Sequence, residues 1–129
     1  MKVLLSLTIL ATLVTSPVLG ADPVSLVGTW TGQRDRIAKL DGRRHGLATL
    51  VITEQNGNTF AGHLKRSNPT GDEDEPLWGA FTPGGTLMMG SDDEGTYIFT
   101  LVDSNTLDYC YSETGRQPKT VCARLVRQP

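Results

Sequence analysis

The chain is poor in the residues that usually carry chemistry. Among 129 residues there are two cysteines and two histidines, and aromatics make up only 6%. No Gly-x-Ser-x-Gly, His-Glu-x-x-His or phosphate-loop pattern occurs. No Cys/His spacing fits a zinc site, and neither acidic run has the spacing of a calcium loop. The carboxylates fall in turns, and no pair is placed by spacing on one inward face. The expectation is a protein that is not an enzyme and uses no metal or cofactor. Helical periodicity is nearly absent, which excludes a coiled coil. The length excludes a multi-domain enzyme. After residue 14 no apolar run is long enough for a spanning helix, which excludes a multispan membrane protein. Lys and Arg are missing entirely between Ser67 and Gly115.

What is present begins with an export layout. Met1-Lys2 is a positive start, residues 3–14 are mostly apolar, and Ser16-Pro17-Val18-Leu19-Gly20-Ala21 brings small residues to a cut. Residues 1–20 read as a signal peptide cleaved before Ala21, with cleavage after Ala21 as the alternative. The apolar run is shorter than the roughly 20 residues of a membrane span. No cysteine stands at the cut to take a lipid. The expected location is secreted or periplasmic, with residues 21–129 as one domain. In that oxidising setting Cys110 and Cys122 read as a disulfide.

The remainder reads as all-β. Eight short runs rich in β-branched and aromatic residues are separated by Gly, Pro, Asn and Asp clusters. They are Leu26–Gln33, Leu47–Glu54, Thr59–Arg66, Leu77–Phe81, Thr86–Gly90, Thr96–Val102, Thr106–Ser112 and Thr120–Arg127. A three-residue turn at Gln55-Asn56-Gly57, with Gly57 left-handed, sets Ile52 opposite Phe60 and Ala48 opposite Leu64. The rejected alternative, a two-residue Asn56-Gly57 turn, pairs Ile52 with Ala61. A matching turn at Asp103-Ser104-Asn105, with Asn105 left-handed, pairs Leu101 with Leu107, Phe99 with Tyr109 and Tyr97 with Tyr111. Setting Cys110 opposite Cys122 in the last hairpin puts Asp108 opposite Arg124. It also lines Leu107, Tyr109 and Tyr111 against Leu125, Ala123 and Val121. Tight turns between consecutive strands make an antiparallel meander. Closing the last strand on the first removes both edges, which predicts an eight-stranded up-and-down barrel. Arg34–Gly46 is left as either a long hairpin turning at Asp41-Gly42 or a helical turn.

Gly28-Thr29-Trp30 resembles the Gly-x-Trp opening of calycin barrels: avidins and streptavidins, lipocalins and the small bacterial metalloprotease-inhibitor barrels. Asn58-Thr59-Phe60-Ala61-Gly62 is similar to the third-strand pattern of avidins. The resemblance implies that Trp30 packs under a basic residue of the last strand. Arg127, which shares the inward parity of Val121, Ala123 and Leu125, is the candidate. The chain departs from each subfamily. Its two tryptophans are fewer than an avidin-type biotin site uses, it lacks the terminal helix of lipocalins, and its disulfide comes late.

Charge is segregated along the chain although the net value is only −2. Arg34 to Arg66 is rich in Lys and Arg, Ser67 to Gly115 carries Asp and Glu only, and Arg116 to Pro129 carries Lys and Arg only. In a closed barrel this makes a basic side and an acidic side. Such a layout suits an anionic partner, lipid head groups or head-to-tail oligomers. The plainer alternative is that charged turns are simply solvated. An acidic, exported chain is not expected to bind nucleic acid. Phe60, Phe81, Tyr97, Phe99, Tyr109 and Tyr111 are expected inside the barrel, either lining a ligand cavity or filling it. Trp78 and Met88 are expected outside, as an apolar patch of the kind that marks partner surfaces. The functional expectation is a non-enzymatic binding module for a protein or envelope component, an inhibitor of an exported enzyme included. A small-ligand carrier and a small hydrolase or cyclase are the alternatives.

Overall fold

The structure, a computed structural model, describes Leu13 and residues 22–129. The export segment expected over residues 1–20 therefore lies, apart from Leu13, outside the described residues. Eight antiparallel strands follow one another around a closed barrel: β1 (Gly28–Ala38), β2 (Gly42–Asn56), β3 (Thr59–Arg66), β4 (Glu73–Phe81), β5 (Leu87–Ser91), β6 (Gly95–Asp103), β7 (Thr106–Glu113) and β8 (Lys119–Arg127). β8 pairs with β1, so the sheet has no free edge. Among the described residues no helix is long and apolar enough to cross a membrane.

Alternation decides which side chains enter the lumen. On β7 Leu107, Tyr109, Tyr111 and Glu113 are buried, while Cys110 and Ser112 between them are exposed. β8 buries Val121, Ala123 and Leu125 in the same way. The last hairpin has Cys110↔Cys122, Asp108↔Arg124 and Tyr109↔Ala123 as register partners. The two cysteines form a disulfide on the outer face.

Arg34–Gly46 is a hairpin with no helical turn. β1 and β2 run on until Ala38 pairs with Gly42, so both strands are longer than their apolar stretches suggest. Gly42 takes φ 67°, a left-handed conformation that a side chain would strain.

Three register expectations are corrected. Between β2 and β3 the turn is Gly57-Asn58, closed by Asn56↔Thr59, and Ile52 pairs with Gly62, Leu50 with Leu64 and Ala48 with Arg66. Neither Ile52 with Phe60 nor Ile52 with Ala61 occurs. A bulge between Ile52 and Glu54 adds one residue to β2 and shifts the far half of the hairpin. The net slip is two residues, so Ala48, Ile52, Phe60 and Leu64 still face inward. Between β6 and β7 the pairs Leu101↔Leu107, Phe99↔Tyr109 and Tyr97↔Tyr111 are present. However, Asn105 is not left-handed, because a bulge between Leu101 and Asp103 takes up the extra residue. On β5 the parity is the reverse of that expected. Met88 is fully buried between its partners Phe81 and Phe99, and Leu87 is exposed. Leu87-Met88-Met89 is three apolar residues in a row and carries no alternation of its own.

The core is graded along the barrel axis. Aliphatic and aromatic side chains fill the half near Trp30 and Phe60, and tyrosines and charged residues fill the other half. Gly79 makes room for this packing: a Cβ there would collide with the Phe60 ring.

Candidate functional site

The two ends of the barrel are built differently. At the end where β1 starts, the chain before β1 folds over the opening. Leu26 is buried and accepts a hydrogen bond from Trp30 Nε1 at 2.9 Å. The Gln55 side chain ties the same segment down, accepting from Leu26 N at 2.7 Å and donating to Val24 O at 3.1 Å. The Arg127 guanidinium lies 4.1 Å from the Trp30 ring centroid. It donates to Val27 O at 3.0 Å, Ser25 O at 2.6 Å and Ser104 O at 3.2 Å. This end is stoppered by the tryptophan, its cation and the strap of residues 22–27.

At the opposite end the inward rows turn polar. Trp30 sets the inward parity of β1, and two and three steps further along the same row stand Arg34 and Arg36. Continuing the rows of Leu64, Leu77 and Tyr111 brings in Arg66, Glu75 and Glu113. Arg66 sits against Glu75 at 2.5 Å and Glu73 at 3.6 Å, and lies over the Tyr111 ring at 5.7 Å. Burial opposes the Arg66 charge, but the Glu75 and Glu73 carboxylates outweigh it and raise its pKa. Among the described residues Arg34 hydrogen-bonds to neutral groups only: its Nη2 donates to Ser67 O at 2.8 Å and Asn68 Oδ1 at 2.6 Å. Burial, aided by Arg66 and Arg36 and opposed by Tyr109 and Glu73, lowers its pKa.

A second network borders these arginines. Lys119 pairs with Glu113 at 2.6 Å, Tyr111 donates to Glu113 at 3.0 Å, and Tyr97 donates to Asp92 at 3.1 Å. Asp92 also accepts from the backbone N–H groups of Glu94 and Gly95 at 2.9 and 2.8 Å. Although burial works against its charge, these hydrogen bonds hold its carboxyl below the ordinary Asp value. Glu75 moves the other way. Burial, together with Asp92 and Glu94, raises it against the pull of Arg66.

All six aromatic residues expected inside are buried and touch one another. Phe60 packs edge-on against Phe81 and Phe99, with centroids 6.0 and 5.9 Å apart. Phe99 stacks on Tyr97 at 5.5 Å, and Tyr97 meets Tyr111 at 4.6 Å. Tyr109 lies 6.2 Å from Phe99, and burial pushes its hydroxyl up to about 12 against the pull of Arg34 and Arg66. Trp30 and Arg127 meet as described. Arg124 holds Asp108 through two bonds of 2.8 and 2.9 Å on the outer surface, and that hydrogen bonding lowers the Asp108 pKa. The expected patch of Trp78 and Met88 is corrected: Trp78 is 52% exposed, but Met88 is enclosed and Met89, 53% exposed, faces out instead. Ile98, the register partner of Met89, extends that outer apolar face.

Arg34, Arg36, Arg66 and Glu75 did not figure among the expected site residues. The parity that assigned Arg127 to Trp30 also turns these four inward. For Arg34 and Arg36 it was hidden by the open choice over Arg34–Gly46. The charge blocks also acquire a structural meaning. β8, β1, β2 and β3 are contiguous, as are β4 to β7. The blocks pair where they meet: Arg66 and Lys65 face Glu75 and Asp72 at one seam, where His63 also contacts Asp74, and Arg124 and Lys119 face Asp108 and Glu113 at the other.

No protein-family model matches the chain, and no curated protein matches it. Solved structures do. A protein of unknown function from the DUF3598 family of Nostoc punctiforme PCC 73102 aligns with TM-score 0.60 and 14% identity over 89% of this chain and 53% of its own. The chain thus spans about half the length of that protein. EF1p2_mFAP2b, solved bound to DFHBI, aligns with TM-score 0.59 and 12% identity over 80% of this chain and 94% of its own. A redesigned β-barrel, b11L5F_LGL, aligns with TM-score 0.52 and 14% identity over 81% and 92%. At these identities the likeness is one of fold: the chain is a small, closed, eight-stranded antiparallel β-barrel.

Proposed function

We propose that this chain is an exported, non-enzymatic binding barrel that meets its partner, a protein or an envelope component, through its polar mouth and outer surface. The observation that carries this reading is the filled lumen. Six aromatic side chains in mutual contact, with Trp30 and Met88 fully buried beside them, occupy the place where a carrier would hold its cargo. Export is supported by the N-terminal sequence layout and by a disulfide of the kind that persists in oxidising compartments. The Trp30–Arg127 stopper supports a calycin-like assignment, and with it, by analogy of fold alone, an inhibitor of an exported enzyme.

One observation favours a small-ligand carrier as the second reading: the neighbour EF1p2_mFAP2b was solved bound to DFHBI. Native mass spectrometry of the protein purified from an exporting host separates the two. The binding-module reading expects a chain cut near Gly20/Ala21, two hydrogens lighter for the disulfide, with no small molecule retained. A molecule retained at one per chain would replace it with the carrier reading. An uncut, reduced chain would remove export.

A further inference from the structure

We propose that the recess at the open end, between β1, β2, β3, the start of β4 and β8, binds a phosphate group or an equivalent compact oxyanion. This rests on the reading of the polar mouth as a binding surface and names the chemistry it takes. The recess encloses about 290 Å³. Five cationic side chains, Arg34, Arg36, Arg44, Arg66 and Lys119, border it, together with two carboxylates, Asp41 and Glu73.

Four of the five have a carboxylate. Arg36 and Arg44 share Asp41 at 3.0 and 3.8 Å, Arg66 has Glu75 and Glu73, and Lys119 has Glu113. Among the described residues Arg34 makes no ion pair, and Glu73 acts on it only from a distance. It is 1% exposed, and the acceptors it meets there are a backbone carbonyl and an amide oxygen. The Nε atoms of Arg34, Arg36 and Arg66 are all buried without an acceptor. The side chains of Arg34, Arg36 and Arg66 all border this one recess, and among the described residues Arg34 alone of the five cations has no carboxylate within ion-pair distance. A buried cation without an anion is unfavourable, and arginine forks match the oxygens of a phosphate. An oxyanion in the recess would neutralise Arg34 and accept hydrogen bonds from its neighbours.

Free phosphate and a lipid head group share this chemistry, and the test has an arm for each. Thermal unfolding of the full mature chain is followed at constant ionic strength while inorganic phosphate replaces chloride. Co-sedimentation is measured with phosphatidylglycerol vesicles, using phosphatidylcholine vesicles as the blank. The variants are Arg34→Met and, as a control of equal charge change on the outer face of β2, Arg43→Gln. The expected result is saturable stabilisation by phosphate, or retention on phosphatidylglycerol, that Arg34→Met weakens at least about tenfold and Arg43→Gln changes less than about twofold. Arg34→Met is expected to fold and, in chloride, to melt no lower than the parent, because it removes an unneutralised buried charge. Binding that Arg43→Gln weakens as much as Arg34→Met would overturn the proposal as diffuse electrostatics. Absence of both effects would overturn it too, and a chain that still retained no small molecule would leave the wider binding-module reading in place.

Discussion

Trp30→Ala is expected to destabilise the protein by about 3–5 kcal/mol, the range for truncating a large buried aromatic residue. That is a large part of the roughly 5–15 kcal/mol by which domains are stable. Three losses combine at this position. The indole is fully buried in the core, so its removal leaves a cavity at the stoppered end. Its Nε1–H is the donor that anchors Leu26, and the buried Leu26 carbonyl would be left without a partner. Its ring is the surface on which the Arg127 guanidinium lies while it binds Ser25, Val27 and Ser104. Trp30→Phe keeps a ring under Arg127 and loses the donor, so it should cost clearly less. Urea unfolding measures both. A loss below about 1 kcal/mol for Trp30→Ala would mean that this end is not stoppered as described.

Glu75→Ala is expected to cost about 3 kcal/mol, because it strands a buried guanidinium. The Arg66 side chain is only 6% exposed, and Glu75 is its nearest carboxylate. Glu73 lies farther off, at 3.6 Å, and is itself more than half exposed, so it compensates weakly. The sign of the coupling is the stronger test. Arg66→Met combined with Glu75→Ala removes both charges, and a well-packed apolar pair is often as stable as the ion pair it replaces. The double variant should therefore be more stable than Glu75→Ala alone. Additive losses would show that Arg66 and Glu75 act independently.

Much of this architecture is legible in the sequence because several local signals agree. In the last hairpin, one choice of register satisfies the cysteines, the Asp108–Arg124 pair and the Leu107–Tyr109–Tyr111 face together, and the structure has that register. The β6–β7 pairing is similar, since its alternating aromatic residues tolerate no slip. The β2–β3 hairpin shows where such reading stops. A bulge near Thr53 inserts a residue that alternation cannot reveal, because a two-residue slip leaves every side chain on its original face. The inward place of Met88 is hidden in the sequence for a related reason. Between Phe81 and Phe99 the lumen needs one side chain from β5, and Leu87, Met88 and Met89 are all apolar enough to supply it. The charged mouth is legible only in part. Parity from Trp30 and Leu64 points Arg34, Arg36 and Arg66 inward, against the general preference of arginine for the surface. Only the closed barrel shows that they converge, since β1 and β3 lie on either side of β2.

A filled lumen is tested most directly by titrating the tyrosines. The chain has three, Tyr97, Tyr109 and Tyr111, and all three are buried in the barrel. Burial raises each above the ordinary tyrosine value of about 10, with Tyr109 pushed up to about 12. A pKa raised by folding means that the neutral hydroxyls favour the folded state fully below about pH 10, and that this advantage is lost as pH rises through the folded values. Absorbance at 295 nm, followed with circular dichroism on one sample, should stay flat at pH 10 and rise only near or above about pH 12, together with unfolding. Three tyrosines ionising near pH 10 while the barrel stays folded would mean water in the lumen, and would contradict the packed interior.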